Sequence, residues 1–437
     1  MLKNVVLLFL GLMSLVLVGQ EAPAVAPLDT TNITFTLETD KNPLSYEQNE
    51  PINFRFIIEL HGQKLQEELK VLYCLRDDAG KKEEKTLVYD GTAPLGVTTT
   101  LGQDGFVWLN AILADKQGNI LKGGRFVCNG GACVHPERLQ QGAPEPDDFD
   151  EFWARQKQRL AAVPLKYEMK EVQEFEHTKV YVVTIDCAGP RPCTGFLRLP
   201  KDLEGKQVPG QISFQGYGFH TASYAKQPFG DTKEARLDFQ VNAHGVELLR
   251  DEAYYKEFAE SIKSNGKPYA FDPEQNSDPE QAYFNGMAMR LMRAVEFVQS
   301  LPQLDPQRLT VIGGSQGGMQ SIWAAALCEG ISWAEVHIPW FCDQAGQSKA
   351  GRMFGGWRIP YSPSLDYYDC VNMAKRVKCT VRIGLAGLGD YTCPPSGVAI
   401  LFNNLPVKKR IHWFQDATHG GPWNKKAFVI DGNGFEL

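Results

Sequence analysis

The chain has 437 residues, a formal net charge of −7 and 43% hydrophobic residues. This length exceeds one typical domain and supplies enough apolar side chains for a large core. The acidic balance and the lack of a Lys/Arg-rich run exclude the electrostatic footprint of a nucleic-acid-binding protein or of one held at an anionic membrane surface.

The first residues have the pattern of a secretory signal peptide. Met1-Leu-Lys-Asn provides a basic start, and residues 5–18 form a nearly continuous apolar run that is too short for a confident membrane span. Small residues after this run offer cleavage sites. We therefore assign residues 1–26 to a signal peptide and predict a secreted or periplasmic protein with no membrane contact after cleavage; a retained N-terminal anchor is the alternative.

Ten cysteines remain after this segment, an even number in a chain predicted to be exported. Cys128 and Cys133, and likewise Cys187 and Cys193, are separated by turn-forming residues, so each pair could close a small disulfide loop. A zinc site is the competing interpretation, but the spacings are not C-x₂-C pairs and His135 is the only nearby histidine. We expect no metal and no cofactor.

Residues 27–135 predict a β-sandwich of immunoglobulin-like size. Short runs with alternating apolar and polar residues are separated by turn-rich pieces, and no helical pattern lies between them. The predicted strands cover residues 33–37, 52–58, 69–75, 86–89, 105–111 and 125–127. Because no nucleophile–base pattern occurs here, we expect a structural, interdomain or carbohydrate-facing role, with Trp108 in the core rather than serving as a sugar platform.

Residues 136–437 predict an α/β domain. A proline-rich linker precedes an amphipathic helix at 149–162. Predicted antiparallel strands at 171–175, 180–186 and 195–199 are followed by buried strands at 210–214, 237–241, 309–312, 333–338, 380–385 and 409–414, with helices at 282–301 and 394–402. Strands that alternate with helices indicate a doubly wound, mostly parallel sheet.

The most informative stretch of this domain is Gly313-Gly-Ser-Gln-Gly-Gly318, between an apolar β-branched run and residues of helical composition. Strand, sharp turn and helix are the context of a G-x-S-x-G nucleophile elbow. Small residues two positions before and after Ser315 allow the strand and helix backbones to close on each other. The turn exposes the Ser315 hydroxyl and directs the backbone N–H of Gln316 at a developing oxyanion. A glycine-rich turn with an incidental serine is the alternative.

An acid and a histidine should follow such a serine in chain order, on loops after later strands. Asp390 and His419 each lie just past a predicted strand. A carboxylate there can hold the imidazole Nδ1–H while Nε2 takes the Ser315 proton. The alternatives are a helix N-cap for Asp390 and a surface histidine for His419. We rank His412 lower because it lies inside its strand, and Asp416 because it is close to His419 in the same loop.

The second oxyanion donor is expected from the loop after the strand at 210–214. Gln215-Gly-Tyr-Gly218 occupies this position, and we predict the backbone N–H of Tyr217 as the donor, beside that of Gln316. A plain turn would have the same composition.

With these residues placed, the second domain resembles the acetyl xylan esterase / cephalosporin C deacetylase family of carbohydrate esterases. The resemblance covers roughly the last two thirds of the chain. It rests on Pro146-Asp-Asp-Phe-Asp-Glu-Phe-Trp153, Gly216-Tyr217, Gly313-Gly-Ser-Gln-Gly-Gly318, Ile338-Pro-Trp-Phe-Cys-Asp343, Asp390-Tyr-Thr-Cys-Pro-Pro395 and His419-Gly420. The glutamine after the serine and the D-x-x-C-P-P run are the most specific pieces.

This resemblance implies an α/β-hydrolase with a catalytic triad of Ser315, Asp390 and His419, and with oxyanion donors at Tyr217 and Gln316. It also implies a small acetylated carbohydrate as the substrate. The chain departs from the family pattern where Ala243-His-Gly245 replaces an Arg-Gly-Gln and where Gln215 replaces a histidine. Because the family forms ring-like assemblies, the resemblance implies a possible homo-oligomer. The additional N-terminal sandwich argues against the same assembly.

The leading hypothesis is a secreted serine esterase that deacetylates xylo-oligosaccharides or related small acetyl esters through an acyl-enzyme. A prolyl-oligopeptidase-like peptidase or another acyl hydrolase is the second hypothesis, and a non-catalytic carbohydrate-binding protein is the third. Aromatic residues between Trp340 and Tyr368 predict a cap that sets acyl size, with ordinary packing of a lid helix as the alternative. They are Phe341, Phe354, Trp357, Tyr361 and Tyr367.

Overall fold

The computed structural model describes residues 32–122, 126–218, 222–353, 355 and 357–436. The segment 1–26 assigned to a signal peptide lies outside this range. Within the described residues, no helix has both the length and the apolarity needed to cross a bilayer.

The N-terminal region contains two four-stranded antiparallel sheets. Their strands are β1 (Ile33–Thr39), β2 (Ile52–Leu60), β3 (Gln63–Lys64), β4 (Leu69–Asp77), β5 (Lys82–Tyr89), β6 (Leu95–Thr99), β7 (Gly105–Ala114) and β8 (Val127–Val134). One sheet has the order β1-β2-β3 with β6 also paired to β2, and the other has the order β5-β4-β7-β8. Alternate side chains of both sheets, such as Phe35 and Leu109, share one buried apolar core. We call β1–β8 the N-terminal sandwich.

Strand β8 differs from its prediction. The turn-forming residues between Cys128 and Cys133 left a small disulfide loop open, yet residues 128–133 lie in one continuous strand with both cysteines buried. Five strand residues span about 16 Å, so Cys128 and Cys133 cannot form a disulfide with each other. The glycines within β8 mark a close approach of backbones. A Cβ at Gly131 would lie 2.5 Å from the carbonyl oxygen of Leu388 and 2.7 Å from that of Val107.

The second region is built on a ten-stranded mixed sheet. Its strands are β9 (Tyr167–Glu174), β10 (Thr178–Ile185), β11 (Cys193–Pro200), β12 (Val208–Phe214), β13 (Leu237–Asn242), β14 (Leu304–Gly314), β15 (Trp333–His337), β16 (Thr380–Gly387), β17 (Lys409–Phe414) and β18 (Phe428–Gly432). The spatial order is β9-β10-β11-β13-β12-β14-β15-β16-β17-β18. The six central strands, β13, β12, β14, β15, β16 and β17, are parallel. The outer strands β9, β10, β11 and β18 pair antiparallel. The predicted α/β-hydrolase sheet, preceded by antiparallel β-sheets, is confirmed.

Eight α-helices accompany the sheets in the described part of the chain. They are α1 (Phe149–Ala161), α2 (Ala222–Ala225), α3 (Glu252–Ser261), α4 (Tyr283–Ser300), α5 (Gln316–Leu327), α6 (Ala345–Ala350), α7 (Cys370–Ala374) and α8 (Pro395–Asn404). Helix α5 is apolar nearly all round and most of its residues are buried, as expected of a helix enclosed by other elements. This burial fixes the start of α5, where the candidate site lies.

The N-terminal sandwich packs directly against the second region. Phe106 on β7 belongs to the apolar core of the second region, and its ring lies 5.6 Å from that of Trp413 on β17. The ten cysteines, all within the described residues, are present as thiols.

Candidate active site

Ser315 lies at the sharp turn between β14 and α5. Its φ of 57° and ψ of −119° are strained for a residue with a Cβ. The surrounding backbone holds this conformation. The Ser315 N–H donates to the carbonyl of His337 over 3.0 Å, and the Ser315 carbonyl accepts from the N–H of Trp340 over 3.1 Å. The parallel neighbour β15 therefore supports the turn that presents the hydroxyl.

The glycines of the predicted elbow are required by close backbone contacts. A Cβ on Gly317 would lie 2.2 Å from the carbonyl oxygen of Phe214 at the end of β12. A Cβ on Gly313 would lie 2.4 Å from the carbonyl carbon and oxygen of Gly317. No side chain fits at these distances, so strand and helix can approach each other only with glycine at both positions.

Ser315, His419 and Asp390 form a continuous hydrogen-bonded row. His419 Nε2 lies 3.0 Å from Ser315 Oγ, and His419 Nδ1 lies 2.9 Å from Asp390 Oδ2. The other carboxylate oxygen of Asp390 accepts from the N–H groups of Thr392 and Cys393, at 2.8 and 2.9 Å. Because a carboxylate accepts the Nδ1 proton, Nε2 is left to accept from the serine hydroxyl.

The two residues ranked lower from sequence take other positions. His412 stays on β17, and burial lowers the pKa of its imidazole. Asp416 accepts from the Lys425 ammonium at 2.6 Å and from the backbone N–H of Asn129 at 3.0 Å. The acid that reaches His419 is therefore Asp390.

The loop 215–218, which we call the oxyanion loop, lies beside the start of α5. The buried Gln316 side chain donates from Nε2 to the carbonyl of Gly216 over 3.3 Å. Because a trans peptide directs its C=O and N–H to opposite sides, this bond turns the N–H of Tyr217 away from the Gln316 amide. The N–H of Gln316 is in the first turn of α5, where helical N–H groups have no acceptor within the helix. Both predicted donors thus belong to segments that contact each other.

Tyr269, which sequence reasoning missed, links the oxyanion loop to α5. Its hydroxyl accepts from the N–H of Gly218 at 2.9 Å and donates to Gln316 Oε1 at 3.0 Å. Burial raises the pKa of Tyr269 well above its usual value, which keeps the hydroxyl protonated as a donor. Tyr269 lies in a connecting segment between α3 and α4, with no local pattern to distinguish it.

His244 is a second residue that sequence reasoning missed. Its Nε2 donates to the carbonyl of Gly218 at 2.9 Å, and its Nδ1 accepts from the Tyr283 hydroxyl at 2.9 Å. Arg191 donates to that same hydroxyl at 3.1 Å. Burial, with a further contribution from Arg290, lowers the pKa of His244 to about 3, so the ring is neutral. The departure from the family pattern at 243–245 was the available signal.

An aromatic cluster surrounds the Tyr217 ring. Tyr269 stacks on it at 4.5 Å, while Trp357 and Trp340 meet it edge-on at 4.9 and 5.9 Å. Trp357 is 40% exposed, so it presents an apolar face to solvent next to the oxyanion loop. Burial raises the pKa of Tyr217, which keeps its hydroxyl neutral.

The other aromatics of the predicted cap have different surroundings. Phe341 is buried against Phe284, with ring centres 4.8 Å apart. The Tyr361 hydroxyl donates to Asp366 over 2.7 Å, and the Tyr367 ring packs on α1. Phe354 lies outside the described residues. Among the described residues of this predicted cap, Trp357 contacts Tyr217, whereas Phe341 and Tyr367 have packing roles.

Among the described residues, one group of three potential metal ligands has its ligand atoms within 4.8 Å of one another: Asp390, Cys393 and His419. Burial and the nearby Asp390 raise the pKa of the Cys393 thiol well above its usual value, which opposes the thiolate that a metal requires. Asp390 and His419 are also hydrogen-bonded to each other. The side chains of Asp390, Cys393 and His419 therefore suit the hydrogen-bonded row of Ser315, His419 and Asp390 better than they suit a metal site.

Comparison with known proteins finds acetyl esterases and acetyl xylan esterases among the matches. The family model for acetyl xylan esterase (AXE1) matches residues 137–349 and 362–429, more than half of the chain. The acetyl esterase Axe7A of Xylanibacter ruminicola is 26% identical over 310 residues, which cover 65% of this chain and 67% of the relative.

Solved structures give the same fold. The acetyl xylan esterase of Paenibacillus sp. R4 matches with a TM-score of 0.54 and 24% identity, over 66% of this chain and 94% of that one. Acetyl xylan esterase 1 of Thermoanaerobacterium sp. JW/SL YS485 matches with a TM-score of 0.53 and 23% identity, over 66% and 93%.

Proposed function

This chain belongs to the acetyl xylan esterase family, and we propose that it is a secreted serine carboxylesterase that removes acetyl groups from xylo-oligosaccharides or related small acetyl esters. One observation carries the proposal. His419 lies within hydrogen-bond distance of both Ser315 Oγ and Asp390, at 3.0 and 2.9 Å. That arrangement can activate a hydroxyl for attack on an ester carbonyl.

In the acylation step, Ser315 Oγ attacks the acetyl carbonyl carbon while its proton passes to His419 Nε2. Asp390 stabilises the imidazolium through Nδ1–H, and the backbone N–H groups of Gln316 and Tyr217 donate to the oxyanion. Collapse of the tetrahedral intermediate breaks the bond between the acetyl carbon and the sugar oxygen. The leaving sugar hydroxyl takes the proton from Nε2, and acetyl-Ser315 remains.

In the deacylation step, water replaces the sugar. His419 Nε2 takes a proton from the water as its oxygen attacks the acetyl-enzyme, and the same N–H groups receive the second oxyanion. Collapse releases acetic acid, which loses its proton to solvent to give acetate, and the proton on His419 returns to Ser315 Oγ. One water is consumed, and one acetate, one proton and one free sugar hydroxyl are formed.

The surroundings of the site support a carbohydrate as the alcohol part of the ester. The exposed face of Trp357 and the Tyr217 ring are flat apolar surfaces of the kind on which sugar rings pack. The leaving group is a neutral hydroxyl, so the substrate needs no charged anchor. Trp357→Ala should raise KM for acetylated xylo-oligosaccharides more than KM for p-nitrophenyl acetate, which has no sugar ring.

The direct test measures the acid released from each of several substrates: acetylated xylo-oligosaccharides, p-nitrophenyl acetate, butyrate and ferulate esters, and a peptide amide. We expect turnover of the acetyl esters and a loss of at least about 10³-fold in Ser315→Ala. Ser321→Ala is the matched control, because it removes a hydroxyl from α5 that donates only within the helix, to the carbonyl of Gly317. Acetate release by Ser315→Ala at the rate of the unchanged protein would contradict the proposal.

The same panel separates the alternatives. A peptidase would cleave the amide faster than the acetyl esters, and a carbohydrate-binding protein would release no acetate from any substrate. Either result would replace the proposed activity.

Export is a part of the proposal that rests on the N-terminal sequence pattern alone. Its test is the intact mass of the protein recovered outside the cytoplasm after expression of the full chain. A mature N-terminus within residues 19–27 supports export with cleavage, and an uncleaved N-terminus contradicts it.

A further inference from the structure

The N-terminal sandwich contacts the loop that carries Asp390. The indole Nε1–H of Trp108 on β7 donates to the carbonyl of Gly389 over 3.0 Å, although the two residues are 281 positions apart in sequence. Gly389 directly precedes Asp390. A Cβ on Gly389 would lie 2.3 Å from the carbonyl oxygen of Asn129, so the β8 backbone lies against this loop with no room for a side chain.

The sandwich also holds the segment that leads to His419. Gln415 and Gly131 form a reciprocal pair, in which the Gly131 N–H donates to Oε1 over 2.9 Å and Gln415 Nε2 donates to the Gly131 carbonyl over 2.8 Å. Next to it, Asp416 Oδ1 accepts from the backbone N–H of Asn129 over 3.0 Å. Gln415 and Asp416 are both buried, so these bonds lie in an interface closed to solvent.

The two loops are bonded to each other as well as to β8. Gly389 N–H donates to the carbonyl of Ala417 over 3.0 Å, and Leu388 N–H donates to that of Phe414 over 2.9 Å. The sandwich therefore fixes one side of a unit formed by both loops. Hydrogen bonds in such an interface are costly to lose, because buried groups are left unpaired.

These contacts come from outside the part of the chain that matches the family. That match begins at residue 137, whereas Trp108, Asn129 and Gly131 precede it. The family fold thus accounts for the position of the Asp390 and His419 loops only in part.

We propose that the N-terminal sandwich is a positioning element of the active site, with Trp108 acting through the backbone of Gly389 on the orientation of Asp390. This inference rests on the proposed function, because Asp390 must act on His419 for its position to matter. Catalytic groups need to be held within about 0.5 Å of their productive geometry, and larger displacements lower the rate steeply.

The first variant is Trp108→Phe, which keeps an aromatic ring and removes the indole N–H. We expect kcat for p-nitrophenyl acetate to fall by about 3- to 10-fold, the range that corresponds to the loss of one hydrogen bond. KM should change by less than about twofold, since Trp108 does not act on the substrate in this account. An unchanged kcat would overturn the proposal.

The matched control is Trp333→Phe. Trp333 is half-buried like Trp108, and its indole donates to Glu335 over 3.1 Å at the start of β15, the end of that strand far from Ser315. It should leave kcat unchanged. An equal loss in both variants would mean that any lost indole bond lowers the rate, which would overturn the specific role of Trp108.

A double-mutant cycle with Asp390→Asn decides whether Trp108 acts through the acid. In that background Trp108→Phe should have no further effect on kcat, because the group it positions is gone. A full additional loss would point to a general structural role and overturn the proposal. If Asp390→Asn alone keeps the original rate, the proposed triad fails instead, which distinguishes the two failures.

A second variant in the N-terminal sandwich tests the same proposal if Trp108→Phe does not fold. Gly131→Ala places a methyl group 2.5 Å from the carbonyl oxygen of Leu388, two residues before Asp390, and should displace this loop. We expect circular dichroism to show a folded protein with a kcat at least about 10-fold lower, since displaced catalytic groups are costly. A folded Gly131→Ala protein with unchanged kcat would contradict the proposal.

Discussion

Ser315 and Asp390 are held in place by different parts of the chain. The turn around Ser315 and the oxyanion loop depend on contacts within the second region, chiefly with β12, β15 and the Tyr269 hydroxyl. The loops of Asp390 and His419 also contact the N-terminal sandwich, through Trp108, Asn129 and Gly131. The contacts that hold the proposed nucleophile thus come from the second region, whereas those around the proposed acid come in part from the N-terminal sandwich.

This difference explains which parts of the site can be inferred from sequence. A steric requirement close to Ser315 leaves a short motif with glycines at fixed positions. Contacts made by the N-terminal sandwich involve single residues, such as Trp108 and Gly131, with no fixed sequence spacing from Asp390. We therefore expect substitutions near Ser315 (the nucleophile side) and substitutions near Asp390 (the acid side) to have separate effects on activity and stability.

The largest effect should come from the acid itself. Asp390→Asn keeps the size of the side chain but favours the wrong imidazole tautomer at His419, so kcat/KM for p-nitrophenyl acetate should fall by about 10⁴-fold. The thermal midpoint should change little by comparison. A near-normal rate would mean that Asp390 is not the acid. The contacts of the N-terminal sandwich with the Asp390 loop would then have no bearing on catalysis.

The next effect tests the nucleophile side. Gly317→Ala would place a methyl group 2.2 Å from the carbonyl oxygen of Phe214, so β12 and α5 must separate. We expect a loss of about 1–3 kcal/mol in the free energy of unfolding by urea, together with a large loss of kcat. Gly230→Ala is the control, because a Cβ there meets nothing within 4 Å. Equal stability of the two variants would contradict the steric account of the elbow.

A smaller effect is expected from Tyr269→Phe. This variant leaves the Gly218 N–H and Gln316 Oε1 without their partner, which should loosen the oxyanion loop. We expect kcat to fall by about 10-fold with little change in KM, and the loss should not depend on Trp108 because the two residues support different groups. A Tyr269→Phe variant whose effect disappears in Trp108→Phe would show that the two sides are coupled rather than separate.

The smallest effect concerns pH. Burial lowers the pKa of His244 to about 3, whereas an unfolded histidine titrates near 6.5. As the pH falls from about 6.5 towards 3, the unfolded state binds a proton that the folded state does not, so stability falls by up to about 1.4 kcal/mol per pH unit. In His244→Gln this contribution should be absent. Urea unfolding of both proteins between pH 7 and 5 measures it, and a constant difference in the free energy of unfolding would contradict a neutral buried His244.

The main elements and their order were predictable because their patterns are local. Buried apolar runs predicted the parallel strands, and the glycines around Ser315 predicted the elbow. The positions of Asp390 and His419 followed from chain order and from the ends of their strands. The structure brings those two residues together with Ser315, while the roles that sequence reasoning gave them stay predictions until they are measured.

The rest depends on contacts between distant segments. The glycines of β8 suggested a turn, because a glycine required by the approach of Leu388 is the same in sequence as one required by a bend. Tyr269 shows no local pattern, and the departure from the family pattern at 243–245 marked His244 without indicating its contacts. The fold places both residues at Gly218. The contact of Trp108 was equally hidden. The sequence placed Trp108 in the core, where a tryptophan of a β-strand is usually found, but it is half-buried and its indole donates to Gly389.

The central claim is that Ser315 is a nucleophile activated through His419 and Asp390. Its most direct test is labelling with a fluorophosphonate, followed by mass spectrometry to locate the adduct. We predict a single adduct on Ser315 in the unchanged protein and much slower labelling in Asp390→Asn and in His419→Ala. An adduct on another serine, or labelling of Ser315 at equal rates in all three proteins, would contradict the claim.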